Sequence, residues 1–207
     1  MASPRLLLVE GPDDEHVVKA ICKAHGISVP DAFAIQQKQG CNQLLESIPV
    51  ELKASDRERL AVILDANDSL QRRWDQLTYR LSHAGCPVIP KQPQPEGTVL
   101  TVSQGLRFGV WLMPDNCLPG MLEDFVTFLV PQGDALLPRV DGFLDGIPVN
   151  IRPFPAGRRS KARIHSWLAV QEEPGKPLGQ AITYRYLDAQ RSVVDPFVKW
   201  MRAALVD

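Results

Sequence analysis

The sequence predicts an α/β protein: a mainly parallel sheet flanked by helices, continued by a helical C-terminal extension. Three observations carry this. Short apolar runs at residues 6–9, 60–64 and 106–113 suit strands buried on both faces of a sheet. Between them lie stretches with helical rather than alternating periodicity, the order expected of βαβ units. Each run also ends in acid, at Glu10, Asp65 and Asp115.

The elements follow in order. Leu6-Leu-Leu-Val9 forms the first strand, and Gly11-Pro12 breaks it. Asp13 and Asp14 then stand where N-cap and first-turn acids belong, and Val17, Val18, Ala20 and Ile21 give residues 14–25 an apolar helical face that ends at Gly26. Residues 31–37, with Phe33 and Ile35 on one face, read as a second strand closed by Gly40. Residues 42–52 read as a helix with Leu44, Leu45 and Ile48 inward and a possible break at Pro49. After the strand at 60–64, a helix over 69–83 carries the core stripe Leu70, Trp74, Leu77 and Leu81 and stops at Gly85.

Residues 86–104 are rich in Pro and Gln. They predict a short strand near 87–89, an exposed loop and another strand near 98–102. The run 106–113 is the next buried strand, and residues from Gly120 open a helix towards Val130. Beyond it, residues 134–163 mix apolar side chains with Gly and Pro and hold the densest basic cluster, Arg152, Arg158, Arg159, Lys161 and Arg163. A helix over 161–170 with Trp167 and Leu168 inward, a turn at 174–177 and an amphipathic segment over 194–206, docking Phe197, Trp200, Met201 and Leu205 on the sheet, complete the chain. The expected organisation is an α/β domain over 1–130 with the extension 131–207 packed on it.

Composition sets the bounds on function. At 207 residues, 44% hydrophobic and 23% charged, the chain can bury a substantial core, and neither disorder nor a membrane span is indicated. A net charge of −1 argues against coating nucleic acid by bulk electrostatics while leaving room for a local basic groove. The N-terminus enters a strand without an apolar signal region, which predicts a cytoplasmic protein. Cys22, Cys41, Cys86 and Cys117 include no CxxC pair, so neither disulfides nor a zinc knuckle are expected. The four histidines lack metal-ligand spacing, there is no GxSxG elbow, and Gly11-Pro12 matches no phosphate-binding glycine loop.

Parallel strands finish on one edge of a sheet, so carboxylates at their ends converge although distant in sequence. Glu10, Asp14, Asp65, Asp68, Asp115, Glu123 and Asp124 form this set. Clustered carboxylates raise one another's pKa values unless a cation neutralises them, and oxygen ligands without His or Cys favour Mg²⁺ or Mn²⁺. Taken singly, Asp13 or Asp68 reads more readily as a solvated helix-cap acid than as a ligand. The basic run from Arg158 to Arg163 reads as phosphate contacts or as a solvated helix start.

Val9-Glu10-Gly-Pro-Asp-Asp14-Glu15, followed by Leu64-Asp65-Ala-Asn67-Asp68, resembles the Toprim fold shared by topoisomerases, primases and the OLD (overcoming lysogenization defect) nucleases. That family has a Glu after its first strand and a DxD-type motif after its third. Leu112-Met-Pro-Asp115-Asn116 with Gly120-Met-Leu-Glu123-Asp124 is similar to the downstream segment of OLD-like members. The resemblance spans residues 5–130. It implies a Toprim-like, Rossmann-like domain and a Mg²⁺- or Mn²⁺-dependent phosphodiesterase or nuclease acting on DNA or RNA, as in phage-defence relatives. Glu10 matches the family's acid/base or ligand Glu, Asp14 an acid that follows it, Asp65 the first Asp of DxD, and Glu123 a further ligand; Asp68 and Asp115 complete the implied metal set. Lys161 or Arg158 matches a basic residue that assists catalysis, and Arg158, Arg159, Lys161 and Arg163 would contact nucleic acid.

Asn67 replaces the second Asp of DxD, which leaves a one-metal enzyme or an inactive relative as alternatives, although an Asn carbonyl can still ligate Mg²⁺. The other implied reading is a catalytically weak Toprim module that binds nucleic acid or a partner protein. OLD-type nucleases pair Toprim with an ATPase; with no Walker A sequence here, such an ATPase would be encoded separately. A topoisomerase-like activity would need a catalytic Tyr from another domain.

Overall fold

The structure, a computed structural model, describes residues 3–86, 88–102 and 105–207. Five strands, β1 (Arg5–Val9), β2 (Ala34–Gln37), β3 (Arg59–Asp65), β4 (Thr98–Thr101) and β5 (Arg107–Met113), form one sheet in the order β2-β1-β3-β5-β4. All neighbours are parallel except β4, which runs antiparallel on the edge beside β5. The predicted α/β class and mainly parallel sheet are therefore present. The apolar runs explain why: along β3 and β5, alternate residues feed two separate cores. Leu60, Val62, Leu64, Phe108, Val110 and Leu112 face one side, while Ala61, Ile63, Trp111 and Met113 face the other.

On the first side pack α2 (Cys41–Glu51) and α3 (Leu70–His83), through Leu44, Leu45, Ile48, Trp74, Leu77 and Leu81. The Ser69 hydroxyl caps α3 by accepting the Arg72 N–H at 3.2 Å. Pro49 does not interrupt α2. It sits in the last turn, where the loss of one donor is tolerated.

On the second side lie α1 (Pro12–Ala24), α4 (Leu122–Phe128), α5 (Leu137–Asp145), α6 (Arg159–Ala169), α7 (Leu178–Thr183) and α8 (Asp195–Met201), the last continued by a π-helical turn, Arg202–Val206. Phe197, Trp200 and Met201 enter the same core as Leu7, Val17 and Trp111, so residues after 131 supply much of that core. Gly109 in β5 records how close this packing is: a Cβ there would lie 2.6 Å from the Ala204 Cβ and 3.2 Å from that of Ala61.

Several boundaries differ from expectation. α1 begins at Pro12 with Gly11 as N-cap, because Pro is suited to the first helical position; Asp14 is thereby moved to the third. β2 is confined to Ala34–Gln37, with residues 31 and 32 in a turn and bend. Of the short strand expected near 87–89, Pro87 lies outside the described residues, and Val88 and Ile89 are not in a strand. α5 and α7 were not expected. Both are short and hold their place by burying Val140 and Leu144, or Leu178, Ala181 and Ile182. Among the described residues no helix is long and apolar enough to cross a membrane.

Candidate metal centre

The register of the sheet builds the site. β1 and β3 pair Leu8 with Val62, so the chain leaving β1 at Glu10 runs beside the end of β3. The Glu10 Oε1 accepts the Asp65 N–H at 2.9 Å, which fixes the carboxylate across the strand end. The chain then enters α1, and the Gly11 N–H donates to Asp14 Oδ2 at 3.0 Å. This bond turns Asp14 towards the strand ends rather than into solvent, and it is buried. Asp65 in turn accepts the Leu122 N–H at 2.9 Å and so anchors the start of α4. The following residue, Glu123, is only 5% exposed, and it meets Lys161 Nζ of α6 at 2.9 Å.

Glu10, Asp13, Asp14, Asp65, Glu123, Arg158 and Lys161 line one cleft of about 370 Å³. The electrostatics follow from this crowding. Burial pushes Asp65 up to about 8, reinforced by Glu10, Asp14 and Glu123. Asp14 is pushed up to about 7 by burial, with Glu10 and Glu123 adding to it. Glu10 is also raised by burial, against the lowering effects of the Asp65 N–H and the Arg73 guanidinium. The Lys161 ammonium is raised by its bond to Glu123, with Asp13 and Asp65 contributing.

Four of the expected metal residues, Glu10, Asp14, Asp65 and Glu123, are thus brought together, and Lys161 with them. Asp68 and Asp115 stand outside the cleft. Asp68 is exposed in a neighbouring hollow with Asn67, Ser69, Arg72 and Arg73. Asp115 closes its own turn, accepting the N–H groups of Cys117 and Leu118 at 3.0 and 2.8 Å. The acid that reaches the site from beyond β5 comes from the start of α4, not from the strand end. Asp124 caps α4 through the Met121 N–H at 2.9 Å and accepts the Ser160 hydroxyl.

Asn67 has a φ of +52°, a left-handed conformation that Asn and Asp both adopt more readily than most side chains, and its N–H donates to Gly120 O at 2.6 Å. It is exposed and does not line the cleft.

The basic cluster divides. Arg158 and Lys161 line the cleft, whereas Arg163 and Arg159 are bound to Asp141, at 2.6 and 3.3 Å, and Arg159 also to Asp145 at 2.7 Å. These ion pairs tie α6 to α5, so their guanidinium groups are structural in this arrangement. Arg73 was missed by sequence reasoning: its Nε donates to Asp65 O at 2.7 Å and its charge acts on Glu10. Its position in the first turn of the helix that follows the acidic strand end was the available signal. Cys41 also stands beside Glu10 and Asp65, its thiol pushed up to about 11 by burial and by Glu10.

The donor chemistry fits a hard divalent ion. Asp65 and Glu123 each commit one oxygen to a partner, and their second oxygens have no hydrogen bond among the described residues yet are not sealed from solvent. Among the described residues no group of three or more His, Cys, Asp or Glu side chains is arranged to hold a metal ion. An ion would therefore meet at most two of these carboxylates and keep several waters, as Mg²⁺ commonly does.

No curated protein and no solved structure matches the chain. A family model, described as protein of unknown function (DUF3226), matches residues 4–206, both halves of the fold and every residue of the cleft included. The chain belongs to the DUF3226 family.

Proposed function

We propose that the protein is a Mg²⁺- or Mn²⁺-dependent phosphodiesterase acting on DNA or RNA. One observation carries this reading: five carboxylates, from the residue after β1 and from α1, β3 and α4, share a cleft whose wall also presents Lys161 and Arg158. Buried acids that raise one another's pKa are costly unless a cation joins them, and a phosphodiester is the substrate that an acid-bound cation and a flanking basic wall suit together. When bound, the metal would supply a Lewis acid that offsets phosphate charge and activates water.

The chain's own residues divide the remaining work. Glu10, held by the Asp65 N–H and raised by burial, is placed to accept a proton from an attacking water. Asp65, with Asp14 or Glu123, would hold the ion. Lys161 and Arg158 would orient the non-bridging phosphate oxygens, with Lys161 able to exchange its contact with Glu123 for one with substrate.

A second reading is a module that binds nucleic acid with weak or no cleavage, alone or beside a separately encoded ATPase. The exposed, left-handed Asn67 favours it, since this chain offers one carboxylate fewer than a DxD motif would. Cleavage assays on plasmid, single-stranded DNA and RNA with Mg²⁺ or Mn²⁺ decide the matter. Activity that Glu10→Gln lowers by about 10²-fold or more is expected. Wild-type inactivity on all three substrates with retained binding would leave the second reading, and absence of both would overturn the two together.

A further inference from the structure

From a groove along α3, we infer a binding track for single-stranded nucleic acid that leads away from the cleft. This rests on the nucleic-acid reading above and names the form of the substrate. Two adjoining hollows, of about 170 and 410 Å³, share Arg72 and Gln76. The first is lined by the loop after β3, residues 66–69, together with Arg73, whose guanidinium holds the Asp65 carbonyl. The second runs between α2 and α3, past Asn42, Leu45, Asp75, Tyr79 and Arg80. A Cβ on Gly157 would lie 3.5 Å from Asp68 Oδ1, so the turn that precedes Arg158 rests against the same loop. Cleft and groove therefore meet at one place.

The groove's chemistry is that of a strand and not of a duplex. Among the described residues the side chains of Arg72 and Arg80 make no ion pair or hydrogen bond, although both lie on one face of α3. Eight residues apart, they stand about 12 Å apart along the axis, a separation that matches two phosphates of an extended strand better than one. Asp68 and Asp75 also line the groove, but Asp75 is occupied by Gln71 Nε2 at 2.8 Å, and the three arginines outnumber the two acids. Tyr79 is 60% exposed, with His83 packed against its ring at a centroid distance of 4.2 Å. An exposed, braced ring beside guanidinium groups offers a stacking surface for an unpaired base, which a base inside a duplex cannot use. The Asn42 amide presents both donors and an acceptor to base edges, and that of Gln76, whose Oε1 accepts from Arg73 Nη1 at 2.9 Å, presents its donors.

The test is fluorescence anisotropy with labelled oligothymidylate and oligouridylate of about 12 nucleotides, and a duplex of equal length, in EDTA so that no cleavage occurs. The wild type should bind either single strand at least about fivefold tighter than the duplex. Arg72→Glu combined with Arg80→Glu should weaken single-strand binding at least about tenfold and lower the salt slope by about 1.4, the value for two phosphate contacts on a single strand. Tyr79→Ala should weaken it about fivefold or more. Arg139→Glu, an exposed change on α5, should leave it unaltered. Circular dichroism establishes that each variant is folded. Duplex binding as tight as single-strand binding, or a double variant that binds like the wild type, would overturn the track. If the latter occurs while Glu10→Gln still abolishes cleavage, the track alone fails and the phosphodiesterase reading stands.

Discussion

Divalent ions should stabilise this protein in a pH-dependent manner, and the size of the effect follows from the cleft. Asp14 is raised from 3.8 to about 7 and Asp65 from 3.8 to about 8, chiefly by burial and then by the neighbouring acids. Raised folded-state values mean that the native state keeps protons that the unfolded chain has already lost. Without metal, stability therefore falls as pH rises from about 4 to about 8 and levels off above, since each tenfold difference in proton affinity between the folded and unfolded chain is worth about 1.4 kcal/mol. A metal ion competes with those protons. At an Mg²⁺ or Mn²⁺ concentration 100 times the Kd measured at pH 9, binding adds about 2.7 kcal/mol, or about 5–11 °C in Tm for a chain of this size. At pH 6 both carboxyls are protonated, and displacing a proton from each, one held about tenfold and the other about 100-fold in excess, lowers apparent affinity about 10³-fold; the shift then falls below about 1 °C. Differential scanning fluorimetry at pH 6, 7, 8 and 9, with and without the ion, measures this directly. A metal-induced shift that is the same at pH 6 and 9, or undiminished in Asp65→Asn, would refute the reasoning.

Two further outcomes are expected. Lys161→Met should leave Glu123 buried beside three other acids; because Lys161 is itself half exposed, the metal-free loss should be about 1 kcal/mol, or about 2–4 °C in Tm, recovered by Lys161→Arg. An unchanged Tm would show that the pair contributes nothing measurable. Gly109→Ala should cost about 1–3 kcal/mol by forcing the terminal turn off the sheet, read as a lower urea midpoint with little change in slope, and a neutral result would contradict the packing described.

What could be read from the sequence follows from where its constraints are local. β1, β3 and β5 were legible because burial on both faces leaves a continuous apolar run, and α3 because Trp74, Leu77 and Leu81 repeat at helical spacing. α5 and α7 were not, since six to nine residues containing Gly or Pro have little helical preference of their own and depend on what they pack against. The same division runs through the site. Glu10 and Asp65 were visible as strand ends. That Glu123 reaches the cleft while Asp115 closes a turn depends on the path of residues 114–122, fixed by the Asp65 bond to Leu122 and the bond from Asn67 N–H to Gly120 O. Arg159 and Arg163 looked like ligands for phosphate only because Asp141 and Asp145, 14 to 22 residues away, could not be placed beside them.

The division of the chain at residue 130 is one of charge rather than of folding. All the acids of the cleft come from before it, and both cations that line it come from α6 and the residue that precedes it. α6 is held there from two directions, by Arg159 and Arg163 on Asp141 of α5 and by the Ser160 hydroxyl on Asp124 of α4. α7 meanwhile closes on α1 at Gly179, where a Cβ would come within 2.7 Å of His16 O, so the helix that carries Asp14 is braced by the same C-terminal segment. A fragment ending near residue 130 would expose the core face of Trp111, Val17 and Phe125 and leave its carboxylates with no lysine among them. The acidic half therefore requires the basic half twice, for its core and for its charge.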